Sequence, residues 1–162
     1  MEDERNPFEP VVALAQHHGC PTRLLDWTQS PETATFFAAE RVEKDSGELA
    51  VWALNLRHLA LRQLPVKPFS VPRSSVGYLH AQEGLFTYVA GADLDFVNTG
   101  AWPSIESFCS DGLVKMTLPW AEASELRRLL FAEGFHRAAL MPTYDNVTQM
   151  LKEHQQRWHG DE

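Results

Sequence analysis

The chain has 162 residues, of which 44% are hydrophobic and 22% are charged, and these values are typical of one soluble globular domain with its own core. The formal net charge of −8 argues against a protein that coats nucleic acid regardless of sequence, because such a protein needs a basic surface, but it leaves room for a small basic pocket that binds a phosphorylated ligand. We expect neither a membrane span nor a signal peptide, since long apolar runs are absent and the first residues are acidic. Cys20 and Cys109 lie far apart and form no CxxC pair, which predicts free thiols in a cytoplasmic protein.

The first ten residues are polar and include two prolines, so we expect a flexible lead-in over residues 1–10 and one domain over 11–160. The apolar positions from Val11 predict a short helix that Gly19 ends, because glycine readily adopts the left-handed conformation of a helix C-cap. Ser30 and Pro31 have the pattern of an N-cap and a first helical residue. A short polar connection therefore joins two helices.

This connection carries the chain's densest group of chemically capable side chains. Polar loops on a rigid scaffold often hold functional residues. The candidate residues in and beside it are His17, His18, Thr22, Arg23, Asp26, Trp27 and Thr28.

The remaining elements predict an α+β domain. Residues 48–56 are apolar on both faces of a strand, so we expect them at the centre of a sheet. The prolines in 65–72 predict an extended linker that is unsuited to a central strand. The other predictions are a helix over 31–42, strands over 85–89 and 112–119, an irregular segment over 91–110 with one short helix near Ser104, a helix over 121–133, an edge strand over 138–141 and a helix over 144–158.

Strands and helices alternate without a regular βαβ rhythm, which favours a small mixed or antiparallel sheet flanked by helices. The sequence contains no GxGxxG motif, P-loop or metal-ligand spacing, so no motif indicates a metal.

The segment from Gln16 to Pro31, followed by Ala34, Phe36, Phe37 and Ala38, resembles the signature of FRG domains. Residues 81–86 resemble that family's second block, and residues 115–141 fit its C-terminal portion. The Phe-Arg-Gly motif that names the family is absent. The resemblance therefore implies a shortened member, or the C-terminal part of an FRG domain whose other half lies on a partner chain.

The order of motifs in FRG domains resembles that of mono-ADP-ribosyltransferases. This resemblance implies an ADP-ribosyltransferase-like fold, NAD as substrate, and a protein or nucleic-acid acceptor, as in a toxin or a phage-defence effector. Cleavage of the nicotinamide bond passes through a cationic sugar, which a carboxylate stabilises. The positions that the resemblance assigns to catalysis are Glu83 and Gln82.

The same resemblance assigns NAD binding to the first block. Arg23 would contact phosphate, Trp27 would stack on a ring, and Thr28 would hold the ribose or the carboxamide. Asp26 and the histidine pair, His17 and His18, complete the candidate binding residues.

Structural roles are open for the same residues. Asp26 and Arg23 could form an ion pair that braces the loop. Trp27 is expected in the core, together with Leu24 and Leu25. Adjacent helical histidines point about 100° apart, so His17 and His18 are not expected to share a metal.

Two further structural predictions concern a thiol and a helix. Cys20 is expected to be a buried, inert thiol. The apolar stripe of the last helix is expected to dock on the sheet, and it comprises Val147, Met150, Leu151, His154 and Trp158.

Two functions remain open. One is an NAD-handling transferase or its remnant, and the other is a non-catalytic binding or interaction module of the same fold. The transferase needs the segment of Trp27 and Thr28 to share one cleft with Gln82 and Glu83.

Overall fold

A computed structural model describes residues 9–40, 47–70 and 81–159, without the side chains of residues 9, 10, 17 and 153–159. The expected lead-in lies outside these residues except at its end, where Glu9 and Pro10 already belong to a helix. The helices, numbered in chain order, are α1 (Glu9–His17), α2 (Pro31–Glu40), α3 (Leu56–Arg62), α4 (Ala92–Thr99), α5 (Glu106–Cys109), α6 (Ala123–Ala132), α7 (Arg137–Leu140) and α8 (Tyr144–His159). The strands are β1 (Leu25–Thr28), β2 (Glu48–Leu54), β3 (Val66–Phe69), β4 (Gly84–Val89) and β5 (Leu113–Pro119).

The described strands form two small antiparallel sheets flanked by helices, which confirms the predicted α+β class. The first sheet has the order β1-β4-β3, with Thr28 opposite Gly84 and Phe69 opposite Phe86. The central strand β4 is the most buried of the three, as its apolar sequence requires. Strand β3 contains Pro68 and lies at the edge, where a missing backbone N–H is tolerated.

The second sheet is a ribbon of β2 and β5, paired from Glu48 opposite Pro119 to Leu54 opposite Leu113. The prediction of a central strand over 48–56 is therefore wrong, since β2 has one described neighbour and ends at Leu54. Asn55 follows, and its side-chain oxygen accepts a hydrogen bond from the backbone N–H of His58 at 3.0 Å, which caps α3.

Helix α2 begins as the sequence predicts. The Ser30 hydroxyl oxygen accepts a hydrogen bond from the Thr33 backbone N–H at 3.0 Å, which identifies Ser30 as the N-cap. The buried face of α2 consists of Thr33, Phe36 and Ala39 at a helical spacing of three. Phe36 packs with Leu130 of α6 and Leu140 of α7, so α2 joins the N-terminal segment to the C-terminal helices.

Two further predictions are wrong. The first half of residues 91–110 is not irregular, because it contains α4, which Gly91 and Gly100 bound at positive φ; the short helix predicted near Ser104 is confirmed by α5. Residues 138–141 are not an edge strand, because α7 occupies this region. Its N-cap is His136, whose Nδ1 atom accepts a hydrogen bond from the Ala139 backbone N–H at 3.2 Å.

Helix α8 covers the predicted range, but the described part of its apolar stripe is not a buried docking face. Val147 and Leu151 are exposed, and Met150 is half-buried. The side chains of His154 and Trp158 lie outside the described residues. Among the described residues, no helix combines the length and apolar composition that crossing a membrane requires.

Candidate functional site

A cleft of about 780 Å³ lies between β1, α2 and β2, and we call it the acidic cleft after its charged residues. Its charged lining consists of Asp26, Glu40, Glu106 and Arg137. Its aromatic lining consists of Trp27, Phe37 and Trp52, and smaller apolar residues cover the surfaces between them. The cleft is therefore an apolar hollow with more carboxylates than cations among its described residues.

The pairing of β1 with β4 brings the two predicted site segments together. The Thr28 hydroxyl donates a hydrogen bond to the Gln82 backbone oxygen at 2.6 Å. The Gln29 backbone N–H donates to the Glu83 backbone oxygen at 3.1 Å. The Thr28 hydroxyl oxygen also accepts from the Ser30 backbone N–H at 3.0 Å. The segments are thus bonded neighbours rather than opposite walls of a hollow, and the Thr28 proton is already engaged.

The two predicted catalytic residues occupy different environments. Gln82 lines the acidic cleft and donates from Nε2 to the Leu140 backbone oxygen at 3.1 Å. Glu83 is exposed, is absent from the described lining, and has a φ of 49° that is unusual for a residue with a side chain. The geometry therefore brings Gln82, but not Glu83, to the cleft.

Asp26 lines the cleft, and a hydrogen bond from a residue of α1 holds its carboxylate in place. Gln16 donates from Nε2 to Asp26 Oδ2 at 2.7 Å, and the Thr22 hydroxyl donates to Gln16 Oε1. The Thr22 hydroxyl oxygen also accepts from the Leu24 backbone N–H at 3.2 Å. This chain of hydrogen bonds fixes the carboxylate at the start of β1.

Arg23 lies away from the cleft. Its guanidinium pairs with Asp93 in the first turn of α4, rather than with Asp26 as the sequence suggested. The guanidinium carbon also lies 5.6 Å from the centroid of the Tyr88 ring, within the range of a cation–π contact. These contacts connect the loop to α4, and Arg23 is absent from the described cleft lining.

Trp27 is half-buried and lines the cleft, so the prediction that it lies in the core is not confirmed. Its Nε1–H donates to Thr87 Oγ1 at 2.9 Å. Leu24 is buried as expected, whereas Leu25 is 42% exposed and lines the cleft. The prediction that Leu25 belongs to the core is wrong, because Leu25 lies with Asp26 at the exposed start of β1, and both residues line the cleft.

The histidine pair and the cysteines complete the predicted set. His18 is exposed and absent from the described cleft lining, and the His17 side chain lies outside the described residues. Cys20 is exposed, so its predicted burial is wrong. Cys109 is buried, and burial raises the pKa of its thiol. Among the described residues, no three histidine, cysteine, aspartate or glutamate side chains lie together as a metal site.

Three charged cleft residues were not found by sequence reasoning. Arg137 pairs with Glu40 and also donates from Nε to Asn146 Oδ1 at 3.0 Å. A hydrogen bond from the Ser104 hydroxyl is the main reason why the pKa of Glu106 is lowered. No local signal marks these residues, because 97 positions separate Arg137 from Glu40 and only folding brings them together.

Trp52 of β2 forms part of the opposite wall of the cleft. The residue is 38% exposed, and Lys115 Nζ of the paired strand β5 lies 5.5 Å from the ring centroid. The Trp52 ring therefore already makes one cation–π contact, with Lys115.

Comparison with known proteins supports the resemblance in part. A family model for the FRG domain matches residues 1–47, which include the signature from Gln16 to Pro31. The other two resembling segments, residues 81–86 and 115–141, lie outside the matched range. No curated protein and no solved structure matches the chain. The comparisons therefore identify an FRG domain match over the first 47 residues.

Proposed function

We propose that the acidic cleft binds a small molecule with a planar, positively charged ring, and that the chain is a ligand-binding module. The observation that carries this proposal is the combination of aromatic walls and carboxylates in one hollow. Trp27, Phe37 and Trp52 supply the aromatic surface. A flat ring buries apolar area against such side chains, and a positive charge on that ring is attracted to their π faces.

The charges of the cleft favour a cation. Asp26, Glu40 and Glu106 supply three carboxylates, and Arg137 is the one cation among the described lining residues. Arg137 is paired with Glu40, so its charge is largely compensated. Opposite charges attract more strongly in a partly desolvated hollow than in bulk water. A cationic ring is therefore the ligand that suits the cleft.

NAD suits this cleft only in part. Its nicotinamide ring is a planar cation, which matches the aromatic and acidic lining. Its pyrophosphate carries two negative charges, and Arg23, the residue expected to hold it, pairs with Asp93 outside the described lining. The nicotinamide end is thus the part of NAD that the cleft favours.

A direct test compares 1-methylnicotinamide, a cation, with neutral nicotinamide by isothermal titration calorimetry. We expect at least about tenfold tighter binding of the cation, equivalent to about 1.4 kcal/mol. Asp26→Asn should reduce that preference, because it removes a carboxylate from the lining. Glu83→Gln is the matched control, since it removes one charge outside the described lining. Equal affinity for the two ligands would contradict the proposal.

A second candidate is an ADP-ribosyltransferase that consumes NAD and modifies a protein or nucleic acid in the cytoplasm. The observation that favours it is the position of Trp27, Thr28 and Gln82 along one stretch of the cleft, beside Asp26. In this proposal a partner chain supplies the arginine of the absent Phe-Arg-Gly motif. The carboxylate that would stabilise the cationic sugar is either Glu83, which the family resemblance implies, or Asp26, which lines the cleft.

Release of nicotinamide from NAD tests the second candidate. An enzyme should release nicotinamide at millimolar NAD, and the loss of activity in Asp26→Asn or Glu83→Gln would identify the carboxylate involved. Binding of 1-methylnicotinamide without release of nicotinamide, with the chain alone and with its partner, would support the binding module and contradict the transferase.

A further inference from the structure

A second cavity, of about 630 Å³, lies on the other side of α2, where α6, α7 and α8 meet. We call it the basic cavity, because its charged lining consists of Arg127, Arg137 and Glu40. Two guanidinium groups thus face one carboxylate, which is the reverse of the acidic cleft. Arg137 and Glu40 line both hollows, and their ion pair forms part of the wall between them.

Arg127 differs from its neighbour Arg128 in a way that points to a ligand. Arg128 is held by Glu125 through two hydrogen bonds of 2.7 and 2.8 Å, which form an ion pair along α6. The described hydrogen bond of Arg127 runs to Ser124 Oγ at 3.4 Å, near the limit of hydrogen-bond distance. Arg127 therefore brings a guanidinium with weakly engaged donors to the cavity, whereas Arg128 is absent from its described lining.

His136 adds an imidazole ring to the lining. Its Nδ1 atom accepts a hydrogen bond from the Ala139 backbone N–H, so the proton of the neutral ring is on Nε2. His136 lines the cavity beside Phe131, and the centroids of the two rings are 5.2 Å apart. Phe135 also lines the cavity, so apolar surface lies next to the basic groups.

We propose that the basic cavity binds the phosphate group of a small phosphomonoester, with the apolar part of the ligand against the phenylalanine side chains. The planar guanidinium fork of arginine matches the oxygen geometry of phosphate, and such charge-assisted hydrogen bonds are stronger than neutral ones. Arg127 supplies such a fork from α6, whereas Arg137 of α7 adds its charge beside it with Nη1 already paired to Glu40 and Nε bonded to Asn146. Apart from Arg137 and Glu40, the residues used in this proposal do not line the acidic cleft. The phosphate proposal therefore does not depend on the ligand proposed for that cleft.

The test is a calorimetric titration of phenyl phosphate at constant ionic strength, with inorganic phosphate and benzoate as comparison ligands. Phenyl phosphate should bind at least about tenfold more tightly than benzoate, because a dianionic phosphate makes more charge-assisted bonds than a carboxylate. It should also bind more tightly than inorganic phosphate, because the phenyl ring buries apolar area. If inorganic phosphate bound more tightly than phenyl phosphate, the free anion would be the ligand, and the proposal of a phosphomonoester would be wrong.

The matched pair of variants is Arg127→Gln and Arg128→Gln, which remove the same charge from adjacent positions. Arg127→Gln should weaken phenyl phosphate binding about tenfold, since it removes a charge-assisted donor from the lining. Arg128→Gln should change the affinity less than about twofold, because only long-range charge is lost. Equal losses in both variants would overturn the site. The far-ultraviolet circular dichroism and the melting temperature of each variant show that it is folded.

Discussion

The acidic cleft and the basic cavity lie on either side of α2, yet they present opposite charge. In the cleft, Asp26 and Glu106 add to the carboxylate of Glu40. In the cavity, Arg127 adds to the guanidinium of Arg137. The ion pair of Glu40 and Arg137 lines both hollows and so does not distinguish them. The difference in charge comes from β1 and α5, which line the cleft, and from α6, which lines the cavity.

This comparison indicates how a chain with a net charge of −8 can offer a site for an anion. Net charge describes the average field around the protein, whereas a ligand responds to the few groups within about one Debye length. The scattered arginines of the sequence do not form a basic stretch, but folding places two of them around one hollow.

The largest expected effect comes from the helix that separates the hollows. Phe36 of α2 is buried with Leu130 and Leu140 and lines the basic cavity. Phe36→Ala should lower the free energy of unfolding by about 3–5 kcal/mol, because it removes buried apolar contacts and leaves a void. Chemical denaturation measures this loss, and Phe96→Ala, at a 39% exposed position of α4, is the control. Similar losses for both variants would contradict the central role of α2.

The next effect concerns the acidic cleft alone. Trp27→Phe should lower the free energy of unfolding by about 1–2 kcal/mol. The change removes the indole N–H that donates a hydrogen bond to Thr87 Oγ1, and Thr87 is buried. Thr87→Val removes the acceptor, so the double variant should be less destabilised than the sum of the two single changes. Phenyl phosphate binding at the basic cavity should stay unchanged. Additive losses in denaturant titrations would show that the hydrogen bond contributes little.

A change at the shared ion pair should affect the two hollows in opposite directions. Glu40→Gln removes one carboxylate from each lining and frees Arg137 from its ion pair. Binding of 1-methylnicotinamide should weaken about threefold, and binding of phenyl phosphate should tighten about threefold, consistent with a partly exposed charge. Calorimetry with both ligands measures the two changes. Changes in the same direction would show that the hollows are not electrostatically opposed.

The smallest effect is a dependence on pH. The hydrogen bond from Ser104 lowers the pKa of Glu106, so this carboxylate stays negative below the usual glutamate pKa of about 4.3. Its attraction for a cationic ring is lost as the pH falls through that lowered pKa. Ser104→Ala should move the loss to a higher pH, with about a twofold difference in affinity near pH 4. The side-chain carboxyl carbon shift of Glu106, followed by NMR, reports the pKa directly, and an unchanged midpoint would contradict the assigned cause.

Local patterns predicted the elements whose signals are contained within a few residues. Ser30 was correctly predicted as the N-cap of α2, and β4 and β5 lie where their apolar sequences predicted strands. The helix α7 was missed because four residues carry too little periodicity to separate a helix from a strand. The apolar residues of β2 indicate burial but not which element covers them, so the sequence wrongly predicts a sheet centre for this strand.

The sequence by itself determined the α+β class and the N-terminal FRG resemblance, because hydrophobic periodicity and a contiguous signature are each contained within single segments. Only the tertiary structure decided that Gln82 lines a cleft and Glu83 does not, and that Arg137 meets Glu40. Which way a side chain points, and which distant charge it meets, depends on the packing of whole helices against one another. No pattern within a single segment encodes that packing.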